Sequence, residues 1–185
     1  MPGNTAGIDE AGRGALAGPV VAAAVVLHTP VPGVADSKTL TPKQRASLYA
    51  TIVQNGTVGV GWMHASIVDR VNILQATLMA MRQAFDRLAR SVDTIQQVVV
   101  DGNRVPYLRT NAPVHAVIRG DQTEASIAAA SIIAKVVRDR YMQYLDARFP
   151  GYGFIQHKGY STQRHRRAIG AHGLAPVHRQ SFHLQ

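Results

Sequence analysis

Gly7-Ile8-Asp9-Glu10-Ala11-Gly12-Arg13-Gly14 sets two adjacent carboxylates before a glycine-framed arginine, and the apolar run Val20-Val21-Ala22-Ala23-Ala24-Val25-Val26-Leu27 follows it. That run is too continuous for a half-exposed strand, so it predicts a buried one. Residues 5–8 read as a short strand ahead of the acids, which makes the glycine stretch a turn between two strands. Two neighbouring acids repel, and burying them without partners is costly, so the usual remedy is a bound cation or a raised pKa. An ordinary exposed turn is the plain alternative on these residues alone. In a regular strand Asp9 and Glu10 point to opposite faces, so they can share one site only if the strand ends or bulges there.

Outward from this stretch, helices and strands are interleaved. Thr41 as N-cap and Pro42 at the first helical position predict a helix to about residue 53, and 57–63 reads as a third strand. Ile67, Val71, Leu74, Leu78, Met81, Phe85 and Leu88 recur at spacings of three and four, predicting a helix over 66–90 that breaks near Val71-Asn72. Strand 95–100 delivers Asp101 ahead of Gly102-Asn103, and strand 114–118 is followed by Gly120-Asp121. The alanine-rich stretch 125–149 predicts a helix with Ile127, Ile132, Ile133, Val136, Val137, Tyr141 and Tyr144 turned inward. Ser161 is expected to cap a last helix that ends at Gly173. With no internal repeat, low-complexity segment or linker, the expectation is a single α/β domain over 1–185 with a mixed sheet.

Composition narrows the class. Twenty Lys and Arg against eleven Asp and Glu give a net charge of +9 and a pI near 10.5, which points to a polyanion, most commonly nucleic acid. The excess is local: between His157 and Arg179 stand Lys158, Arg164, Arg166, Arg167 and Arg179 with no acid, so 151–185 is expected to be a basic substrate-binding segment. There are no cysteines, which excludes disulfides and thiolate-held zinc or iron–sulfur clusters. No apolar run approaches the roughly 18 residues of a membrane span and no signal peptide is evident, so a cytoplasmic protein without membrane contact is expected.

Asp9, Glu10, Asp101 and Asp121 each lie at or just past the end of an apolar strand, where open α/β sheets place their sites. Three or four oxygen donors suit Mg²⁺ or Mn²⁺, and a pair of such ions is a common clamp for phosphodiester hydrolysis. The remaining acids read otherwise: Asp69, Asp86, Asp93, Asp139 and Asp146 as solvated surface charge, and Glu124 as a helix-start carboxylate facing the dipole. Gly12, Gly14 and Ala17 formally match a dinucleotide fingerprint. A strand rather than a helix follows them, and carboxylates stand directly before, so that reading is set aside.

These residues in this order resemble the bacterial ribonuclease HII family, the type 2 ribonucleases H. The resemblance runs through Gly7 to Gly14, Asp36-Ser37-Lys38, Asn72-Ile73, Asp101-Gly102-Asn103, Gly120-Asp121, Ala129 to Val136, Tyr152-Gly153-Phe154, His157 to Tyr160 with Thr162 and His165, and His178-Arg179 with Ser181-Phe182. It implies an RNase H-like fold: a central mixed five-stranded sheet flanked by helices, with a small helical C-terminal part. It implies a metal-dependent endonuclease that hydrolyses the RNA strand of RNA–DNA hybrids and incises 5′ of ribonucleotides embedded in duplex DNA, leaving 3′-hydroxyl and 5′-phosphate ends. Carried over by position, Asp9, Glu10, Asp101 and Asp121 look like the catalytic carboxylates that hold two divalent ions, Mg²⁺ or Mn²⁺. Gly12, Arg13 and Gly14 look like the ribonucleotide-sensing turn, and Tyr160 like the tyrosine that packs on the sugar. Ser37, Lys38 and Asn72 are read as phosphate contacts, Lys135 equally as a functional or a snorkelling lysine, and His157 and His165 by default as hydrogen-bonded structural histidines, with assistance to the site as the alternative. A monomer is expected. The rival readings are a non-catalytic nucleic-acid module and a junction resolvase of the same fold.

Overall fold

The computed structural model describes residues 4–34 and 40–182. Strand β1 (Thr5–Ala11) pairs antiparallel with β2 (Val20–Leu27), the strand formed by the apolar run, in which only Leu27 is not fully buried. Helix α1 (Pro42–Asn55) and strand β3 (Gly56–Met63) follow, with β3 antiparallel to the far side of β2. Then come α2 (Ala65–Leu88), β4 (Gln97–Asp101) and β5 (Val114–Val117), and β4 and β5 extend the sheet parallel to β1. The strand order is β3-β2-β1-β4-β5, the mixed five-stranded sheet that the sequence predicts. The chain closes with α3 (Gly120–Thr123), α4 (Ala125–Arg148), α5 (Phe154–His157) and α6 (Gln163–His172).

The alternation along β1 sends its side chains to two cores. Ala6 and Ile8 join Val98 and Val100 against Val68, Ala80, Phe85 and Leu88 of α2. On the other face Ala23 and Val25 meet Ala129, Ile132 and Ile133 of α4 and Ile52 of α1. Phe85 is 1% exposed, so truncating it to Ala would cost ~3–5 kcal/mol. A third cluster joins Leu16, Met142, Leu145, Tyr152, Phe154 and Ile169, tying α5 and α6 to the far end of α4.

Local signals place the helix ends. At α1 the Gln44 N–H donates to Thr41 Oγ1 at 3.3 Å while the Thr41 N–H donates to Gln44 Oε1 at 2.8 Å, a reciprocal capping box. The break expected in α2 falls at Asn72, which adopts φ 67°. The last helix is capped by Thr162 and not Ser161: Thr162 Oγ1 receives the His165 N–H at 3.2 Å, whereas the Ser161 hydroxyl receives Arg166. Tyr144 is 56% exposed instead of inward, because the buried line of α4 runs through Ala134, Arg138, Met142 and Leu145. Glu124 occupies the N-cap of α4 without a side-chain cap bond.

Candidate active site

The acids sit where the sheet pairing changes. β1 stays paired with β2 as far as Ala11 opposite Val21, yet its pairing with β4 ends at Ile8 opposite Val100. Asp9 and Glu10 therefore lie beyond the last β1–β4 rung, beside Asp101, the final residue of β4. The strand neither ends at Ile8 nor bulges, since β2 offers an unbroken partner to Ala11. Although β1 stays regular here, the Asp9 and Glu10 carboxyls still act on each other and on Asp101, because no β4 rung separates them beyond Ile8. Asp121, 4% exposed in α3, gives its N–H to Asp101 Oδ1 at 3.4 Å.

Charge repulsion is built into this cluster. Burial, then Glu10, and also Asp101, hold the Asp9 carboxyl well above its ordinary value, and burial raises Glu10 despite Arg13 at 3.2 Å. Hard carboxylate oxygens opposed in this way are the donor chemistry that Mg²⁺ or Mn²⁺ relieves, so the residues fit such ions. Among the described residues no three His, Cys, Asp or Glu side chains are already gathered to hold a metal. Asp9 Oδ1 instead receives the Glu10 N–H at 2.7 Å, and Glu10 faces Arg13.

A cavity of about 310 Å³ opens alongside, lined by Glu10, Ala11, Gly12, Arg45, Ser131, Lys135 and Tyr160. It brings the predicted turn and tyrosine to the edge of the acids. Arg13 and Gly14 are exposed, whereas Gly12 is buried with φ 93°, and a Cβ there would fall 1.9 Å from Arg138 Nε. A Cβ on Gly14 would meet nothing within 4 Å. The Tyr160 ring lies 5.2 Å from the Arg138 guanidinium and 5.9 Å from Lys135 Nζ, and Lys135 also pairs with Asp139 at 2.8 Å. Asn72 is exposed, and its Oδ1 receives the Gln75 N–H at 3.1 Å, capping the second half of α2. Ser37 and Lys38 lie outside the described residues.

Sequence patterning missed two buried cations. Arg138 is 0% exposed and donates to the carbonyls of Pro19 at 2.9 Å, Lys158 at 2.9 Å and Ala17 at 3.1 Å. Arg179 is 2% exposed, so it leaves the basic surface patch that its sequence position suggested, while Arg164, Arg166 and Arg167 stay exposed. Burial pulls the Arg179 guanidinium down to about 9, still charged at neutral pH. Arg138 could have been noticed as a charge on the apolar stripe of α4; Arg179 carries no local signal. Asp69 and Asp146 are likewise more than solvated charge: Asp69 receives the N–H groups of Gln180 at 3.0 Å and Ser181 at 2.9 Å, and Asp146 that of Ile155 at 3.1 Å.

His157 and His165 are buried and held by hydrogen bonds inside the fold. His157 Nε2 donates to the Tyr152 carbonyl at 2.8 Å, and its Nδ1 receives the Gly159 N–H at 3.2 Å. His165 bridges Tyr160 and His178, and burial holds it down to about 4, neutral at pH 7.

The sheet order, with acids at the ends of neighbouring strands and helices on both faces, defines an RNase H-like α/β protein. A family model described as Ribonuclease HII matches residues 6–185. Ribonuclease HII of Geobacter sulfurreducens is 52% identical over 184 residues, 96% of this chain and 81% of that protein. That of Maricaulis maris is 49% identical over 185 residues, 97% of this chain and 83% of that protein. The solved PCNA:RNase HII complex from Archaeoglobus fulgidus has a chain of the same fold, TM-score 0.82 at 28% identity, covering 98% of this chain and 96% of that one. The chain belongs to the ribonuclease HII family. It is a ribonuclease H-type endonuclease, a phosphodiester hydrolase of a divalent-metal-dependent family that acts on RNA–DNA hybrids. No helix among the described residues is long and apolar enough to cross a membrane.

Proposed function

We propose that the chain incises duplex DNA 5′ of an embedded ribonucleotide, as well as the RNA strand of hybrids, leaving 3′-hydroxyl and 5′-phosphate ends. The observation that carries this reading is one cavity shared by Glu10, the Gly12 turn, Tyr160 and the basic side chains Arg45 and Lys135. One carboxylate, Glu10, a glycine of the turn, two basic side chains and an aromatic ring around one opening suit a phosphodiester next to a single sugar.

Asp9, Glu10, Asp101 and Asp121 would hold two divalent ions, Mg²⁺ or Mn²⁺, whose chemistry when bound would be activation of a water and charge relief at the leaving 3′-oxygen. The chain does the rest. Gly12, Arg13 and Gly14 present backbone to the 2′-hydroxyl that distinguishes RNA from DNA, and Gly14, with open space where its Cβ would stand, lets the sugar approach closely. Tyr160 packs on that sugar, its ring braced from behind by Arg138. Ser37, Lys38 and Asn72 contact backbone phosphates, and the basic segment 151–185 adds sequence-independent attraction through Lys158, Arg164, Arg166 and Arg167. The protein works in the cytoplasm as a monomer, consistent with its lack of cysteine.

The test is nicking of a DNA duplex containing one ribonucleotide, with Mg²⁺, with Mn²⁺ and with chelator. A metal-dependent nick on the 5′ side of the ribonucleotide is expected. Binding without cutting would favour the nucleic-acid module, and cutting of branched DNA in its place would favour the resolvase.

A further inference from the structure

His178 and Arg179 are consecutive, nearly fully buried, and reach in two directions. Arg179 Nη2 donates to the Gly12 carbonyl at 2.8 Å, Nη1 to the Arg13 carbonyl at 2.8 Å, and Nε to Gly18 at 3.1 Å. A trans peptide points its N–H opposite to its C=O, and the described chain has no cis bond. With the Gly12 and Arg13 carbonyls turned in to the guanidinium, the N–H groups of Arg13 and Gly14 must point outward.

His178 reaches the other half of the site. His178 Nδ1 lies 2.9 Å from the Ala175 N–H and 3.2 Å from the Ala175 carbonyl. Because His165 Nδ1 faces a carbonyl and must donate, the neutral His165 ring accepts at Nε2, which puts the His178 proton on Nε2 and makes its Nδ1 the acceptor of the Ala175 N–H. That proton is donated to His165 Nε2 at 3.0 Å, and His165 Nδ1–H donates to the Tyr160 carbonyl at 3.0 Å. One bonding scheme satisfies every ring nitrogen in this chain. Backbone rungs run beside it: Ala15 bridges Tyr160, Ala17 bridges His178, and the Arg179 N–H donates to Leu16 O at 2.8 Å. Asp69 pins the following residues by receiving Gln180 N–H and the Ser181 N–H and hydroxyl, the last at 2.6 Å.

We propose that His178 and Arg179 form a positioning pair for ribonucleotide recognition. Arg179 aims the Arg13 and Gly14 N–H groups outward, and His178, through His165, holds Tyr160 at a set distance from them. This rests on the reading that the Gly12–Gly14 turn and Tyr160 recognise the 2′-hydroxyl-bearing nucleotide. Neither residue touches substrate. A lysine cannot replace Arg179, because one ammonium does not span carbonyls that a planar fork reaches together.

The test compares wild type, Arg179→Gln, Arg179→Lys and His178→Ala on a duplex with one ribonucleotide. Expected in both folded Arg179 variants is a fall in kcat of at least ~30-fold, with duplex Kd within ~3-fold and Mn²⁺ affinity unchanged; His178→Ala should fall ~10-fold with the same split. A folded Arg179→Gln with kcat within ~3-fold of wild type overturns the proposal, and so does a parallel loss of Mn²⁺ affinity, which would mean general collapse of the site. Should the variants not fold, amide NMR of the wild type in Ca²⁺ decides. The Arg13 and Gly14 N–H signals should shift with the ribonucleotide duplex and not with its all-DNA counterpart, and identical responses to both overturn the proposal. Wild type that never cuts the ribonucleotide duplex would instead sink the substrate reading beneath it.

Discussion

The Arg179 guanidinium donates to the Gly12 carbonyl at 2.8 Å across 167 residues of chain. A buried cation satisfied by carbonyls in place of a carboxylate makes the turn beside the acids rigid, because removing the cation would leave several carbonyls unpaired in the interior.

Gly12 and Gly14 should therefore respond to alanine in opposite ways. Gly12→Ala forces a left-handed backbone on a β-carbon and drives it into Arg138, so it should lose ~2 kcal/mol or more of stability. Gly14→Ala meets open space and should melt within ~0.5 kcal/mol of wild type, yet cut a single-ribonucleotide duplex at least ~10-fold more slowly. Paired urea melts and nicking rates check both. An unaffected rate in Gly14→Ala would remove the close-approach role.

Asp101→Asn deletes one of the charges that hold Asp9 up. The metal-free variant should fold at least as stably as wild type while nicking falls by about 10³-fold. Mn²⁺ at ~100 times its Kd should stabilise wild type by ~2.7 kcal/mol and the variant by much less. Thermal melts with and without Mn²⁺ give that difference directly; equal metal stabilisation in both proteins would take Asp101 out of the ligand set.

The imidazole chain sets an acid limit. Folded His165 titrates at about 4 against an ordinary 6.5, so between those values the unfolded chain binds the extra proton. Its contribution is constant above about 6.5, declines as pH falls through the window, and levels off near 4, a loss on the order of 3 kcal/mol. Burial lowers His157 and His178 too, which adds to the same slope. Raised Asp9 and Glu10 oppose it, so the measurement is the difference in pH slope between wild type and His165→Gln, which should be flatter.

The exposed arginines of α6 predict salt behaviour. Arg164→Gln with Arg167→Gln should weaken duplex binding with or without a ribonucleotide. It should also reduce the slope of log affinity against log salt by roughly one for each phosphate that is no longer neutralised. Binding titrations from low to high salt check this, and an unchanged slope would place the duplex elsewhere.

Local chemistry makes much of the architecture legible. The unbroken run at 20–27, the threefold and fourfold spacing of α2 and the Thr41-Pro42 start each report a period or a cap within a few residues. Ser161 and Tyr144 are misplaced by the pattern, because a hydroxyl one position away and an aromatic beside an apolar stripe look alike until the packing is known.

Periodicity, turn residues and caps act over a few residues, so the bare chain already dictates that the strands exist, that Asp101 closes one of them and that Asn72 interrupts a helix. How Asp9 and Glu10 come to act on Asp101, and that Arg138 and Arg179 turn inward, emerges only on folding. A guanidinium is buried when carbonyls converge on it, and those of Ala17 and Gly12 come from 121 and 167 residues away. No local pattern encodes such a meeting, so the support beneath the turn becomes visible only when distant segments are brought together.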